Sequence, residues 1–186
     1  MNITIALLVL AYTIVILALI WARFSFFNVQ PGKARLSTLL YDPIVLIHIG
    51  CTFYYIFEYS HAQKLWAAAF ACTAYMGGLL LFLWAINTAK RLNFAFGDFS
   101  GKIICSGPYR FMRHPFYTSY SLVWTASTLL FNSPVLWITL IYLIAFYLSS
   151  AMSEEKAILS SEMAGEYESY CKDTNMFIPR IKSWKS

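Results

Sequence analysis

The sequence predicts an all-α fold, a polytopic membrane helix bundle of about five transmembrane helices with a cytoplasmic C-terminal amphipathic helix. Three observations carry that reading. Hydrophobic residues make up 59% of the 186 residues and charged residues only 12%, about half the charged share of an average soluble domain. So few charges cannot cover a water-facing surface of this size. Several apolar runs approach or reach the roughly 20 residues that a helix rising 1.5 Å per residue needs to cross a hydrocarbon core of about 30 Å. The Lys and Arg residues are concentrated in alternate connections between those runs, as membrane topology requires. The net charge of +5 does not make a nucleic-acid interface, because the cations lie between apolar stretches and form no aromatic-studded basic face.

Five segments qualify in order: 3–22, about 41–59, 65–86, 116–131 and 135–152. The first has no positive region ahead of it and no small-residue cleavage site behind it, so it reads as a retained helix, not a signal peptide. The second carries Asp42 and Glu58 near its ends and His48 inside. The fourth is short and rich in hydroxyls, and both it and the second are expected to face protein rather than lipid. In the third, Gly77-Gly78 is expected to allow close helix packing. Only Asn132, Ser133 and Pro134 separate the last two segments, so these form a tight antiparallel hairpin. His48, Tyr54, Tyr55 and Glu58 either line a route for a lipophilic molecule or satisfy one another inside the bundle. Cys51, Cys72, Cys105 and Cys171 are widely spaced, form no CxxC pair and have no neighbouring His to complete a metal site, so they read as small apolar residues. The whole chain, 1–186, is one membrane domain: three N-terminal helices in 1–86, then a loop, a hairpin and a tail in 87–186.

Thirteen of the 14 Lys and Arg residues fall in the 23–40 and 87–115 connections and the tail, and one, Lys64, falls on the opposite face. The positive-inside rule then places the N-terminus outside and the C-terminus in the cytoplasm. Within the tail, Leu159, Met163, Tyr167 and Tyr170 recur at helical spacing with Glu162, Glu166 and Glu168 on other faces. That pattern predicts one amphipathic helix against the cytoplasmic mouth.

The richest polar stretch is Ser106-Gly107-Pro108-Tyr109-Arg110-Phe111-Met112-Arg113-His114-Pro115-Phe116-Tyr117. Proline suits the first turn of a helix and drives the residue before it toward an extended, capping conformation. A helix therefore starts at Pro115. Its free amides, on Phe116, Tyr117 and Thr118, together with Arg110 and Arg113 upstream, would attract a carboxylate or phosphate. Alternatively the arginines anchor lipid headgroups and His114 caps the helix. Glu154 and Glu155 lie just past segment five, and the hairpin returns them to the same mouth. Such a pair can hold ribose hydroxyls or a sulfonium, act as a base, or neutralise the arginines.

The series Gly107-Pro108-Tyr109-Arg110-x-x-Arg113-His114-Pro115-x-Tyr117, then Glu154-Glu155, Tyr167-x-x-Tyr170 and Ile178-Pro179, resembles the isoprenylcysteine carboxyl methyltransferase and phospholipid methyltransferase superfamily of integral membrane enzymes. The likeness covers roughly 100–182. It implies an S-adenosylmethionine-dependent methyltransferase whose cofactor sits in a cytoplasmic pocket built from the last two membrane helices, the preceding loop and the tail. The implied cofactor contacts are Tyr109, His114, Pro115, Tyr117, Glu154, Glu155, Tyr167 and Tyr170, and the implied catalytic residues are Arg113 and Glu154. Many members have glycine where this chain has Ser119, whose side chain would narrow the cofactor approach. The implied partners are a lipophilic small-molecule or lipid substrate and the membrane lipids.

Methyl transfer from a sulfonium requires alignment and an activated acceptor. Arg113 suits a carboxylate acceptor, whereas an amine or hydroxyl calls for a base such as Glu154 or Glu155. Gly97, Gly101 and Gly107 make no GxGxxG turn, which excludes a Rossmann site. Two other classes stay open: a sterol-reductase-type membrane reductase whose arginines hold a nicotinamide dinucleotide, and a non-enzymatic membrane scaffold.

Overall fold

A computed structural model describes residues 3–25, 36–59, 64–91 and 103–180. Among these residues six α-helices follow one another: α1 (Ile3–Ser25), α2 (Leu36–Tyr59), α3 (Leu65–Arg91), α4 (Pro115–Phe131), α5 (Pro134–Leu159) and α6 (Ala164–Asp173), with a 3-10 turn at Gly107–Arg110 before α4. Among the described residues there is no strand, only an isolated parallel bridge between Met112 and Asn175. Several residues of the topology count, Lys33, Arg35, Lys102, Lys182 and Lys185, lie outside the described residues, as do Gly97 and Gly101.

Among the described residues four helices are long and apolar enough to cross a membrane: α1, α2, α3 and α5. The fourth expected span, α4, has 17 residues and a length of about 25 Å at the usual helical rise. It runs beside its neighbours all the same. Tyr117 near its start stacks on Tyr147 of α5, and Phe131 at its end stacks on Tyr55 of α2. With α2, α3 and α5 packed around it, α4 buries Ser119, Val123, Trp124, Ala126, Ser127, Thr128 and Leu130. Its hydroxyls are satisfied there, for example Ser127 against Tyr75 of α3 at 2.9 Å and Thr128 against the Trp124 carbonyl at 2.9 Å.

The expectation that the second segment also faces protein is corrected. Only 17% of the apolar window of α2 is buried, against 44% for α3. One stripe, His48, Thr52 and Ile56, turns inward, and its spacing of four residues is a single helix face. His48 Nδ1 lies 2.8 Å from Thr139 Oγ1 on α5, while Tyr54 and Glu58 are exposed and Tyr55 bonds Ser133 at 2.7 Å. These four residues do not line a common route.

Gly78 lets α3 and α4 approach: a Cβ there would stand 2.8 Å from Val123 Cγ2 and 3.1 Å from the Ser119 carbonyl oxygen. Gly77 meets only ordinary contact, 3.7 Å from Leu122 Cδ2. Asn132 ends α4 in the left-handed conformation, φ 48°, and its amide bonds the Thr128 carbonyl at 2.8 Å. Asn is among the few side chains that tolerate this shape. The hairpin then turns through Ser133 into α5, whose first residue is Pro134.

Helix directions sort the ends of the bundle into two groups. Ile3, Tyr59, Leu65 and the 132–134 turn lie at one end. The 103–114 segment, the end of α5, α6 and the tail gather at the other, as the pairings Tyr41 with Tyr147, Phe82 with Phe116 and Trp84 with Phe111 require.

Candidate active site at the hairpin mouth

Helix α5 runs further than hydropathy suggests, to Leu159, so Glu154 and Glu155 are on the helix and not beyond it. Neighbouring helical residues point about 100° apart. That angle lets the two carboxylates take His114 from two sides: His114 Nε2 lies 3.0 Å from Glu155 Oε1, and Nδ1 lies 3.5 Å from Glu154 Oε2. His114 occupies the N-cap position of α4 with φ −123° and ψ 65°, yet its side chain makes no capping bond. The ring is committed to the glutamates.

The two carboxylates differ in what surrounds them. Glu155 is 13% exposed and accepts from Arg113 Nε at 2.7 Å and Nη2 at 3.4 Å. Arg113 is itself 12% exposed, and its Nη1 donates to the Thr174 carbonyl. Burial alone would lower the Arg113 guanidinium, but the hydrogen bond and charge of Glu155 outweigh it and hold its pKa above the ordinary value. The anion that Arg113 takes is thus the chain's own. Glu154 is 51% exposed and accepts from the Tyr117 hydroxyl. It is the open carboxylate of the mouth.

Aromatic rings form the floor. Tyr117 stacks on Tyr147 at 5.3 Å, and the Tyr147 hydroxyl accepts from Trp124 Nε1 at 2.9 Å and lies 3.3 Å from the Tyr41 hydroxyl. The 3-10 turn fixes the entry to the motif. Gly107 has φ +57°, and a Cβ there would collide with the Thr88 side chain of α3, so the turn needs glycine both for conformation and for contact. Tyr109 packs with Ala22, Phe82, Ile86, Ala89 and Ile104. Its carbonyl accepts from the Tyr170 hydroxyl of α6. Pro115 is buried as the first residue of α4. Tyr167 and Tyr170 are buried, and burial, with smaller contributions from nearby groups, pushes both phenols well up, so they stay neutral donors.

Three expectations are corrected here. Leu159, Met163, Tyr167 and Tyr170 do not share one helix: Leu159 ends α5, Ser160–Met163 is a turn, and only the tyrosines sit on α6. The Thr118 amide is not free, because it bonds the His114 carbonyl at 3.1 Å, as the fourth residue after a helix cap does. Ser119 does not narrow the mouth. It is buried with its hydroxyl turned back to the Phe116 carbonyl at 2.7 Å, facing α3.

One component of the site carries no signal in the sequence pattern. The Arg113 amide bonds the Asn175 carbonyl at 2.9 Å, the His114 amide bonds the Met176 carbonyl at 3.0 Å, and the Arg180 amide bonds the Phe111 carbonyl at 2.9 Å. Thr118 Oγ1 donates to the Phe177 carbonyl at 2.9 Å, and the Phe177 ring lies 5.9 Å from His114. The tail is laid along the motif. Backbone carbonyls leave no side-chain signature, and the only sequence signal nearby is the Ile178-Pro179 ending.

Fold and site define a class of helical membrane protein with its ionisable cluster gathered at one end of the bundle. The chain belongs to the phospholipid methyltransferase family, whose model matches residues 66–161, just over half of it. The matched stretch takes in α3, which the motif resemblance left out, and stops before α6 and the tail. No curated protein matches the sequence.

Proposed function

We propose that the protein is an integral membrane methyltransferase that uses S-adenosylmethionine to methylate a lipophilic acceptor at the cytoplasmic membrane face. The observation that carries this reading is the division of labour between the paired glutamates. Glu155 is locked by Arg113 and His114, while Glu154 stands open over aromatic rings. A carboxylate beside aromatic faces fits a cationic organic ligand with hydroxyl groups, which is the chemistry of a sulfonium nucleoside. The same open carboxylate repels the phosphates of a nicotinamide dinucleotide, which weighs against the reductase reading.

When bound, S-adenosylmethionine supplies a methyl group on a sulfonium leaving group. The chain then has to align and deprotonate. Glu154, with His114, Pro115 and Tyr117, forms the cofactor side in this reading, and Glu155, Tyr109, Tyr167 and Tyr170 support it. Glu154 is also the acid–base residue: it would take the proton from an amine or hydroxyl acceptor, for which S-adenosylmethionine would supply the methyl group. A carboxylate acceptor would require a cation, and Arg113 is engaged by Glu155 and Thr174. In this reading Arg113 acts by holding Glu155.

The N-terminus is outside and the C-terminus cytoplasmic, with α4 as a fifth crossing sheltered by α2, α3 and α5. This rests on the Lys and Arg distribution and on the grouping of the helix ends.

Thermal unfolding in detergent tests the reading. S-adenosylmethionine or its demethylated product at a hundredfold excess over Kd adds about 2.7 kcal/mol of stability, a rise of several degrees in Tm, and NADPH adds none. Stabilisation by NADPH, or by neither ligand, overturns it.

A further inference from the structure

We propose that Thr174 is a positioning residue of the site, with the segment 174–177 as a strap that sets Glu155 through Arg113. The proposal rests on the functional reading above for its effect on cofactor binding, and on geometry alone for its mechanical part. Four consecutive carbonyls of the strap accept from the motif and the first turn of α4: Thr174 from Arg113 Nη1, Asn175 from the Arg113 amide, Met176 from the His114 amide and Phe177 from Thr118 Oγ1.

The physical need is clear from the motif's position. Arg113 and His114 precede α4, so their amides have no intrahelical acceptor, and both are largely buried, where an unmet donor costs stability. The strap supplies those acceptors. It also supplies direction, because a guanidinium is a planar fork. With Nε and Nη2 on Glu155 and Nη1 on Thr174, the plane of the fork is fixed between one carboxylate and one carbonyl.

Thr174 is where the strap gets its aim. The residue is buried, its hydroxyl and amide both bond the Tyr170 carbonyl, at 2.8 and 3.1 Å, and it turns the chain out of α6 with φ −133° and ψ 147°. Tyr170 is tied in turn to the Tyr109 carbonyl. The route from α6 to the carboxylate is therefore Tyr170, Thr174, Arg113, Glu155, each joined to the next by a hydrogen bond. The family match ends at residue 161, ahead of every strap residue.

Thr174→Gly removes the hydroxyl and the β-branched stiffness and frees the carbonyl to swing. Thr174→Ser keeps the hydroxyl, and Thr174→Val keeps the shape without it. In the full chain in detergent, without ligand, nitrogen-detected NMR reads proton exchange at Arg113 Nε. Exchange should rise at least tenfold in Thr174→Gly, less in Thr174→Val, and stay near wild type in Thr174→Ser. Calorimetric affinity for S-adenosylmethionine should fall about tenfold in Thr174→Gly and be restored in Thr174→Ser. In an Arg113→Lys background, Thr174→Gly should add little further loss. Unchanged Nε exchange in both Thr174→Gly and Thr174→Val overturns the strap, as does an affinity loss that is fully additive with Arg113→Lys. A wild-type protein that binds no S-adenosylmethionine counts against the methyl-transfer reading, and the exchange arm still decides the strap.

Discussion

Glu155→Gln and Glu154→Gln remove the same charge from adjacent residues of one helix, and the structure gives them opposite consequences. Glu155 holds contacts of 2.7 and 3.4 Å to Arg113 and 3.0 Å to His114, and it and Arg113 are 13% and 12% exposed. Removing one partner of a fully buried pair costs about 3–5 kcal/mol, and an exposed pair is worth about 0–1 kcal/mol. Glutamine also keeps one acceptor oxygen. A loss of about 2 kcal/mol follows for Glu155→Gln, which for a chain of this size lowers Tm by roughly 4–8 °C. Glu154 is 51% exposed and receives one hydroxyl, with His114 Nδ1 at 3.5 Å. Its glutamine variant should lose no more than about 0.5 kcal/mol, a shift within about 2 °C. A general base nevertheless contributes about a hundredfold or more to rate, so Glu154→Gln should cut methyl transfer by at least that factor. The assay pairs thermal unfolding in detergent, followed by tryptophan fluorescence, with transfer of a labelled methyl group into extracted lipid. Equal losses of Tm in the two variants, or normal transfer by Glu154→Gln, would refute the division between a locked and an open carboxylate.

Further predictions concern the floor, the turns and the topology. Tyr117→Phe removes the hydroxyl from Glu154 and keeps the ring on Tyr147, so transfer should slow while Tm stays within about 2 °C, which kinetics and unfolding on the same samples will check. Gly107→Ala meets both the left-handed penalty of about 1–2 kcal/mol and the Thr88 side chain. It should lower Tm clearly, and Thr88→Ala should recover only part of the loss. Gly78→Ala overpacks the α3–α4 crossing at a cost of about 1–3 kcal/mol, whereas Gly77→Ala, with open contact, should be near neutral in the same melts. Reporter fusions to the two ends should place the N-terminus outside and the C-terminus inside. An active external reporter at the C-terminus would put the mouth on the wrong side for a cytoplasmic cofactor.

The ends of elements show where sequence reading stopped. Hydropathy closed the fifth segment at 152, yet Ser153-Glu154-Glu155-Lys156-Ala157-Ile158-Leu159 continues the helix, because charged residues end a membrane-compatible run without ending helix propensity. The opposite error joined Leu159 and Met163 to α6. There a four-residue spacing happened to cross a turn.

What the sequence determined by itself was what local chemistry encodes. Long apolar runs specify helices, three intervening residues force a hairpin, and Pro115 starts α4 at its first position. Those constraints bring the Arg113-His114 end of α4 and the Glu154-Glu155 end of α5 to one mouth without further information. Tertiary structure alone decided how the four side chains share that mouth. Which glutamate is locked depends on the rotation of α5 about its axis, and that is set by packing of Leu140, Leu143 and Tyr147 in the core. The outward face of α2 and the turn of Ser119 toward α3 were decided in the same way. The strap lay furthest from view, since its contacts join residues about 60 positions apart through backbone carbonyls. Every residue carries such a carbonyl, so only the folded chain singles out the four that are used.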